Sequence, residues 1–493
     1  MQYKNITNPT LLSILLNMPD LPCGGIGKCG KCKVVATGAL SELTSAECAA
    51  LSDAEIAENV RLACQASALG AVTVNYTDAS NNSLGIQGIT FGEIPKFTPK
   101  PKFADGYGIA IDIGTTTVAA YLYDFASYEC VKKYSEANAQ RMYGADVISR
   151  IEYCNNNGNQ AMTGCIQNQI NGIIDKLLAT SDKPHDVKQI VVTGNTTMLH
   201  FFEGLDASGI AVSPFTPHSL FGHEREKYYL PRCASSYVGA DMTCAILASD
   251  MLRSDETSLL IDIGTNGEMA LWHGGVLKSC STAAGPAFEG AGISSGMPGT
   301  AGAINTVFVK DGKIEITAID GALPLGICGS GLVDAIAVMV ENGIVDETGL
   351  IAEEGHDFCD LISETDGELQ FSLGNSGVKL TQKDVRQVQL AKSAICAGIY
   401  TLLTDCGKVD QLIIAGGFGS FINCENAAKI GLFPQDMLGK TKIIGNAAGT
   451  GACMILLNED FIAETDTTAK NTEVVELSTN PVFMDKYIEC MMF

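Results

Sequence analysis

Two stretches about 150 residues apart share one pattern of apolar and polar positions: an apolar strand, the string Asp-Ile-Gly-Thr, and a second, alternating strand. They read GIAIDIGTTTVAAYLYD (108–124) and SLLIDIGTNGEMALWHG (258–274). Period-two patterning on either side of a short turn predicts a β-hairpin, so the same hairpin occurs twice. A third segment, QLIIAGGFGSFI (411–422), predicts a strand that ends at Gly416-Gly417. Apolar runs also meet Gly/Thr/Ser loops at VTGNTTMLHF (192–201), STAAGPAFEGAGISSGM (281–297) and GICGSGLVDA (326–335). Each fits a cleft lining and fits equally a plain strand-to-helix turn. In RMYGADVISRIEY (141–153), helical spacing puts Asp146 and Arg150 one turn apart, which is expected as a surface ion pair, with a cleft contact as the alternative.

Near the start, KCKVVATG and AVTVNY (71–76) read as strands, with TLLSILLNM and SAECAALSDAEIAENV as helical stretches. Between them lies CGGIGKCGKC (23–32), with Cys23, Cys29 and Cys32 in ten residues and Cys64 as the next partner in RLACQA. Structural zinc usually takes two C-x-x-C knuckles, and only Cys29 and Cys32 form one here. A redox C-x-x-C has no need of Cys23. A [2Fe–2S] cluster asks for three thiolates from one loop and a fourth from a distance, with backbone N–H groups turned to the sulfurs. Gly24, Gly25, Gly27 and Gly30 permit that close approach. Four thiolates on a [2Fe–2S] cluster is the favoured reading, with Cys48 expected as a buried thiol outside the ligand set.

Composition bounds the remaining choices. At 493 residues the chain is too long for one core. A net charge of −24 argues against nucleic acid and anionic membrane surfaces, both of which need clustered Lys and Arg. No run approaches a membrane span, and LLSILLNM lacks a basic flank and meets Pro19 and Asp20, so no signal peptide is expected. Eighteen cysteines then suggest reduced thiols in a cytoplasm, and an anaerobe would suit so many. Polar and then proline-rich sequence at 79–105 reads as a linker with semi-extended character, along which the first domain can swing.

Two matched turns fit a two-lobed protein that clasps a polyphosphate, with backbone N–H groups and threonine hydroxyls on the oxygens. Gly114, Thr115 and Thr116 are the candidates in the first turn, and Gly264, Thr265 and Asn266 in the second. Asp112 and Asp262 are candidates to hold the water shell of Mg²⁺, with Glu268 and Glu289 as weaker candidates for positioning water. At Gly416-Gly417 a backbone can lie flat against a base or ribose. No P-loop string is present. The arrangement resembles the superfamily of acetate and sugar kinases, Hsp70 and actin, the ASKHA fold. The cysteine segment resembles plant- and adrenodoxin-type ferredoxins, but only about ten residues precede its first helix, so a trimmed β-grasp is expected in which 71–76 lacks its usual partner.

Taken together, the cysteine loop, YGADVISRIEY, VTGNTTMLH, LIDIGTNGEMAL, AAGPAFEGAGISSGM, GICGSGLVDA, AGGFGSFI and the tail VVELSTNPVFMDKYIECMMF resemble the reductive activators of corrinoid-dependent enzymes. The resemblance implies an α/β, two-lobed ATPase core behind a small α+β ferredoxin domain. The expected division is 1–78 for the [2Fe–2S] domain, 79–105 linker, 106–257 and 258–470 for the two lobes, and 471–493 for a tail packed on the core. It implies ATP, Mg²⁺ and the cluster as cofactors, with Asp112 and Asp262 catalytic. It further implies an upstream low-potential electron donor, the corrinoid protein of a methyltransferase system as partner, and a homodimer formed through the ATPase part. Activators of other low-potential enzymes, and a kinase or binding module with a regulatory cluster, are the competing readings. The first usually lacks an N-terminal ferredoxin segment, and the second lacks its sugar- or peptide-binding signature here.

Overall fold

A computed structural model describes residues 2–3, 9–16, 25, 27, 32–75, 92, 94–179, 186–365 and 367–493. Two six-stranded sheets form the body. In the first, the hairpin Tyr107–Ile113 and Thr117–Asp124 runs on antiparallel into Glu129–Ala137, and Val187–Gly194 joins Tyr107–Ile113 in parallel. The second repeats the plan: hairpin Ser258–Ile263 and Gly267–His273, antiparallel Val276–Thr282, parallel Gln411–Ala415. The duplicated string therefore marks a duplicated sheet.

Alternation decides what each face meets. Ile109, Ile111 and Ile113 bury with the helices Val147–Asn157 and Gln160–Leu178 in one outer core. Leu259, Ile261 and Ile263 do the same in the other lobe. The opposite faces carry Ala110, Ala119, Leu260, Ala270 and Ala415 into a central core between the lobes. Side chains two apart share a face, so Asp112 and Asp262 fall on this inner side, at the strand ends. The central core is spanned by the helices Ala240–Ser249 and Ala447–Leu457. They meet at Gly451, where a Cβ would stand 2.1 Å from the Cys244 carbonyl oxygen. Only glycine allows that contact.

A separate small sheet holds the N-terminal part. Its order is Gln2–Tyr3, Ser67–Asn75, Lys33–Leu40, Val60–Leu62, with Thr10–Leu11 also on Ser67–Asn75. The expectation of an unpartnered strand at 71–76 is thus corrected: Val72 and Thr73 pair with Tyr3 and Gln2. A two-residue strand carries no alternation by which to be recognised. The stretch expected as one helix forms two, Ser45–Ala50 and Asp53–Ala57, each started by a capping box, Thr44 with Glu47 and Ser52 with Glu55. Cys48 is exposed, not buried. The inward position belongs to its neighbour Glu47, which accepts from Arg61 at 2.8 Å and from the Leu62 N–H at 3.1 Å.

Ile94, Phe97 and Phe103 pack on the central core, Phe97 edge-on to Phe461 with ring centroids 5.1 Å apart. Lys100 pairs with Asp460 at 2.7 Å. This end of the linker region therefore lies along the body. At the other terminus the helix Pro481–Glu489 lies on Gln382–Leu402. The buried Lys392 ammonium donates to the carbonyls of Cys490, at 2.7 Å, and of Met492. Among the described residues no helix is long and apolar enough to cross a membrane.

Candidate functional site

The two hairpin turns face one another across a cavity of about 660 Å³. Each is closed by a glycine N–H: Gly114 donates to the Thr117 carbonyl at 2.9 Å and Gly264 to the Asn266 carbonyl at 3.0 Å. The first turn is braced from behind. Asn138 Nδ2 donates to the Gly114 carbonyl at 2.8 Å and Asn195 Nδ2 to Thr115 Oγ1 at 3.2 Å. Arg150 corrects the expected surface pair and agrees with the alternative of a contact at the cleft. Asp146 caps the helix Val147–Asn157, accepting from the Ser149 N–H at 2.8 Å. Arg150 turns inward, fully buried, and donates to the carbonyls of Gly144 at 2.9 Å and Thr115 at 2.6 Å.

Four helices begin at the cavity. Asn195 caps Thr196–Glu203 and Asn446 caps Ala447–Leu457, while Asp241 and Ser330 lie in the first turns of Ala240–Ser249 and Gly329–Glu341. Helix N-termini present free N–H groups and positive dipole ends, the setting in which phosphates bind. All three Gly/Thr/Ser loops reach the cavity, through Asn195, through Phe288 and Glu289, and through Cys328 and Ser330. Gly416 has φ +91° and a Cβ there would stand 2.4 Å from Asp262 Oδ1, so the strand end passes against the carboxylate only as glycine. Next to Gly417, Phe418 stacks on Phe288 with centroids 5.0 Å apart and planes 12° from parallel, giving a flat aromatic wall.

The cavity lining is also acidic. Asp112, Asp262, Glu268 and Glu289 all line the cavity, joined by Asp241, which the sequence reading did not single out. Asn446 Nδ2 donates to Asp112 Oδ2 at 2.9 Å. Loss of water, and then the charge of Asp241, pushes Asp112 up to about 7. The same causes, with Glu289 added, push Asp262 to about 7. Burial raises Asp241 to about 6. Glu268, opposite Asp262 in the hairpin register, is likewise raised, by burial and then by Asp241 and Asp262. Arg141 is the one cationic side chain among the described residues lining the cavity. A bare polyphosphate would be repelled here, and one carrying a divalent cation would not. No three His, Cys, Asp or Glu among the described residues converge tightly enough to grip a metal directly. One signal for Asp241 was present: Gly-Ala-Asp occurs at 144–146 and again at 239–241.

Of the four candidate cluster ligands, Cys32 and Cys64 are described, and Cys23 and Cys29 lie outside the described residues. The two thiols lie at the same end of the paired strands Lys33–Leu40 and Val60–Leu62, where Lys33 is opposite Leu62, and they meet at 3.3 Å, both buried. Two thiolates on one tetrahedral metal stand ~3.8 Å apart when each bond is ~2.3 Å, so the pair lies within about 0.5 Å of the spacing a shared metal asks. The Cys64 thiol and nearby backbone N–H groups bring Cys32 down to about 7 against the effect of burial, favouring the thiolate a metal needs. Gly25 and Gly27 adopt positive φ, both +79°, as the loop requires.

Comparison with known proteins adds identity to this geometry. Residues 256–493 match the model of the C-terminal domain of RACo, described as the ASKHA domain, and 107–254 match that of the RACo middle region. The chain is 35% identical over 418 residues to the corrinoid activation enzyme RamQ of Eubacterium limosum, covering 78% of this chain and 70% of that one. It is 26% identical over 375 residues to the [Co(II) methylated amine-specific corrinoid protein] reductase of Methanosarcina barkeri, covering 66% of each. A solved structure titled reductive activator for corrinoid, iron-sulfur protein matches with a TM-score of 0.73 and 29% identity over 98% of this chain and 95% of that one.

Proposed function

The chain belongs to the RACo family of reductive activators, and from that premise we propose that it regenerates the Co(I) state of a corrinoid protein by delivering one electron to Co(II), with hydrolysis of ATP. The observation that carries this reading is the presence, in one chain, of a converging buried thiol pair and a two-lobed anion cleft with a carboxylate wall. The corrinoid protein of a methyltransferase system is the substrate, and a low-potential donor supplies the electron. A [2Fe–2S] cluster on Cys23, Cys29, Cys32 and Cys64 carries one electron at a time.

In the cleft, Gly114, Thr115, Thr116, Gly264, Thr265 and Asn266 bind the phosphates by N–H and hydroxyl groups. Asp112 and Asp262 orient the water shell of Mg²⁺, and Asn446 keeps the Asp112 carboxylate aimed into the cavity. Gly416 and Gly417 leave room for the nucleoside. Glu268, across the hairpin from Asp262, is positioned to orient water. The lobes meet through the central core and the turns, so closure on a nucleotide can move one sheet relative to the other and change what the corrinoid protein meets. The family's homodimer would form through the same ATPase part.

The test is anaerobic reduction of a Co(II) corrinoid protein, followed by the visible absorption of Co(I), with and without Mg·ATP. Co(I) should accumulate only with ATP and reductant together. Asp112→Asn or Asp262→Asn should lower hydrolysis about 100-fold or more, the scale on which preorganised charge acts in catalysis, while nucleotide binding changes far less. Hydrolysis at the parent rate in both variants would sink the cleft assignment.

A further inference from the structure

Between the two turns, the seat for an anion is filled by the chain itself. Thr116 Oγ1 and Thr265 Oγ1, one from each lobe, lie 3.4 Å apart. Both donate to the same oxygen, Glu289 Oε2, at 2.5 Å and 2.9 Å. Glu289 ends a single 3₁₀ turn, Pro286–Glu289, set between Gly285 and Gly290, both at positive φ. Its Oε1 faces Gly264, within 3.6 Å of where a Cβ would stand. A carboxylate oxygen and a phosphoryl oxygen ask for the same donors, and two hydroxyls aimed at one point serve either.

We propose that Glu289 holds the place of the nucleotide's terminal phosphoryl oxygen and is the residue by which the cleft tells a triphosphate from a diphosphate. This rests on the nucleotide reading above. A diphosphate leaves the Glu289 bridge between the lobes intact. A triphosphate must displace it, so the terminal phosphate takes over both hydroxyls and Glu289 is released beside it. After hydrolysis the carboxylate competes for the same seat and favours departure of phosphate. The bridge thereby reports whether a third phosphate is present, which no contact to the base or ribose can do.

Glutamine at this position keeps a carbonyl acceptor for the threonines and removes the charge that opposes an incoming phosphate. The experiment is calorimetric titration of the full chain, parent and Glu289→Gln, with a non-hydrolysable ATP analogue and with ADP, each with Mg²⁺. The variant should bind the analogue about tenfold or more tightly, because two like charges no longer compete at contact distance, and bind ADP within about twofold of the parent. An unchanged ratio of the two affinities overturns the proposal while leaving the nucleotide reading intact. A parent that binds neither nucleotide overturns the nucleotide reading itself, and this inference with it. Should the variant fail to fold, hydrogen exchange on the unaltered chain decides: backbone amides of 286–290 should exchange faster with the triphosphate analogue than with ADP, and equal rates overturn the proposal.

Discussion

Asp112, Asp241 and Asp262 bring charge into a cleft that the empty fold would rather keep neutral. Asp112 and Asp262 rise from 3.8 to about 7, first through loss of water and then through Asp241. A group whose value is raised by folding contributes stability that is fully present below its unfolded value and is lost as the pH climbs through the folded one. Without nucleotide or Mg²⁺, this contribution should fade between pH 3.8 and about 7. Thermal melts of the parent and of Asp262→Asn check the sign: from about pH 5 to about pH 8 the parent should lose stability relative to the variant. A constant difference would contradict the shift. The cysteines give a second residue-scale prediction. Cys64→Ser should abolish or weaken the reduced-state EPR signal of anaerobically reconstituted protein, and the exposed Cys48→Ser should leave it unchanged. Stoichiometric zinc with no iron would sink the cluster assignment. Asp112 and Asp262 were legible in the sequence because strand alternation and a short turn are local facts. Asn446 was not, and Asp241 and Arg150 were only faintly so, since each acts through contacts that only the fold brings together. Asn446 reaches Asp112 across 334 positions of chain.

Among elements, the helices Ala240–Ser249 and Ala447–Leu457 cross in close contact at the centre of the body, between the two sheets. Gly451→Val would drive a side chain into the Cys244 carbonyl. The expected cost is about 1–3 kcal/mol or more, as for other overpacked cores, read as a lower urea midpoint. A midpoint equal to the parent's would mean the helices do not touch there. The tail makes a different claim. Lys392 is 1% exposed and its ammonium holds the carbonyls of Cys490 and Met492, with Ser393 Oγ donating to the Tyr487 carbonyl at 2.5 Å. Lys392→Met removes those donors at about 1–3 kcal/mol for each carbonyl left buried without a partner. The tail can escape that cost by lifting into water, so exchange of amides 481–493 should rise sharply while the main unfolding transition moves little. Equal protection would show that the helix is held by its apolar contacts alone. Long strands and their turns were legible from periodicity, whereas Gln2–Tyr3 and Thr10–Leu11 are too short to show any. The inward turn of Glu47, with Cys48 left outside, depends on Arg61, which a pattern of apolar positions does not reveal.

For the whole molecule the question is whether the two halves need each other. Each ~59 mV of uphill potential costs a factor of ten in a one-electron equilibrium, and a coupling free energy of ~3 kcal/mol offsets ~130 mV of it. Binding energy in the cleft is of use only if it reaches the corrinoid protein through lobe movement. Full-length variants separate the parts without cutting the chain. Cys64→Ser should keep Mg·ATP hydrolysis yet reduce no cobalt. Asp262→Asn should keep the reduced-state EPR signal yet leave the corrinoid protein as Co(II). A mixture of the two should not recover the parent rate if electron delivery and hydrolysis must occur in one chain, and recovery would mean that they are shared between subunits of a dimer. The net charge of −24 adds a kinetic expectation, because a partner with basic residues around its corrinoid should associate faster at low salt. The decisive outcome is the hydrolysis-dead chain. If Asp262→Asn, with reductant and no turnover of ATP, carries Co(II) to Co(I) as completely as the parent, then the cleft does not drive the electron, and the two motifs share a chain for some other reason.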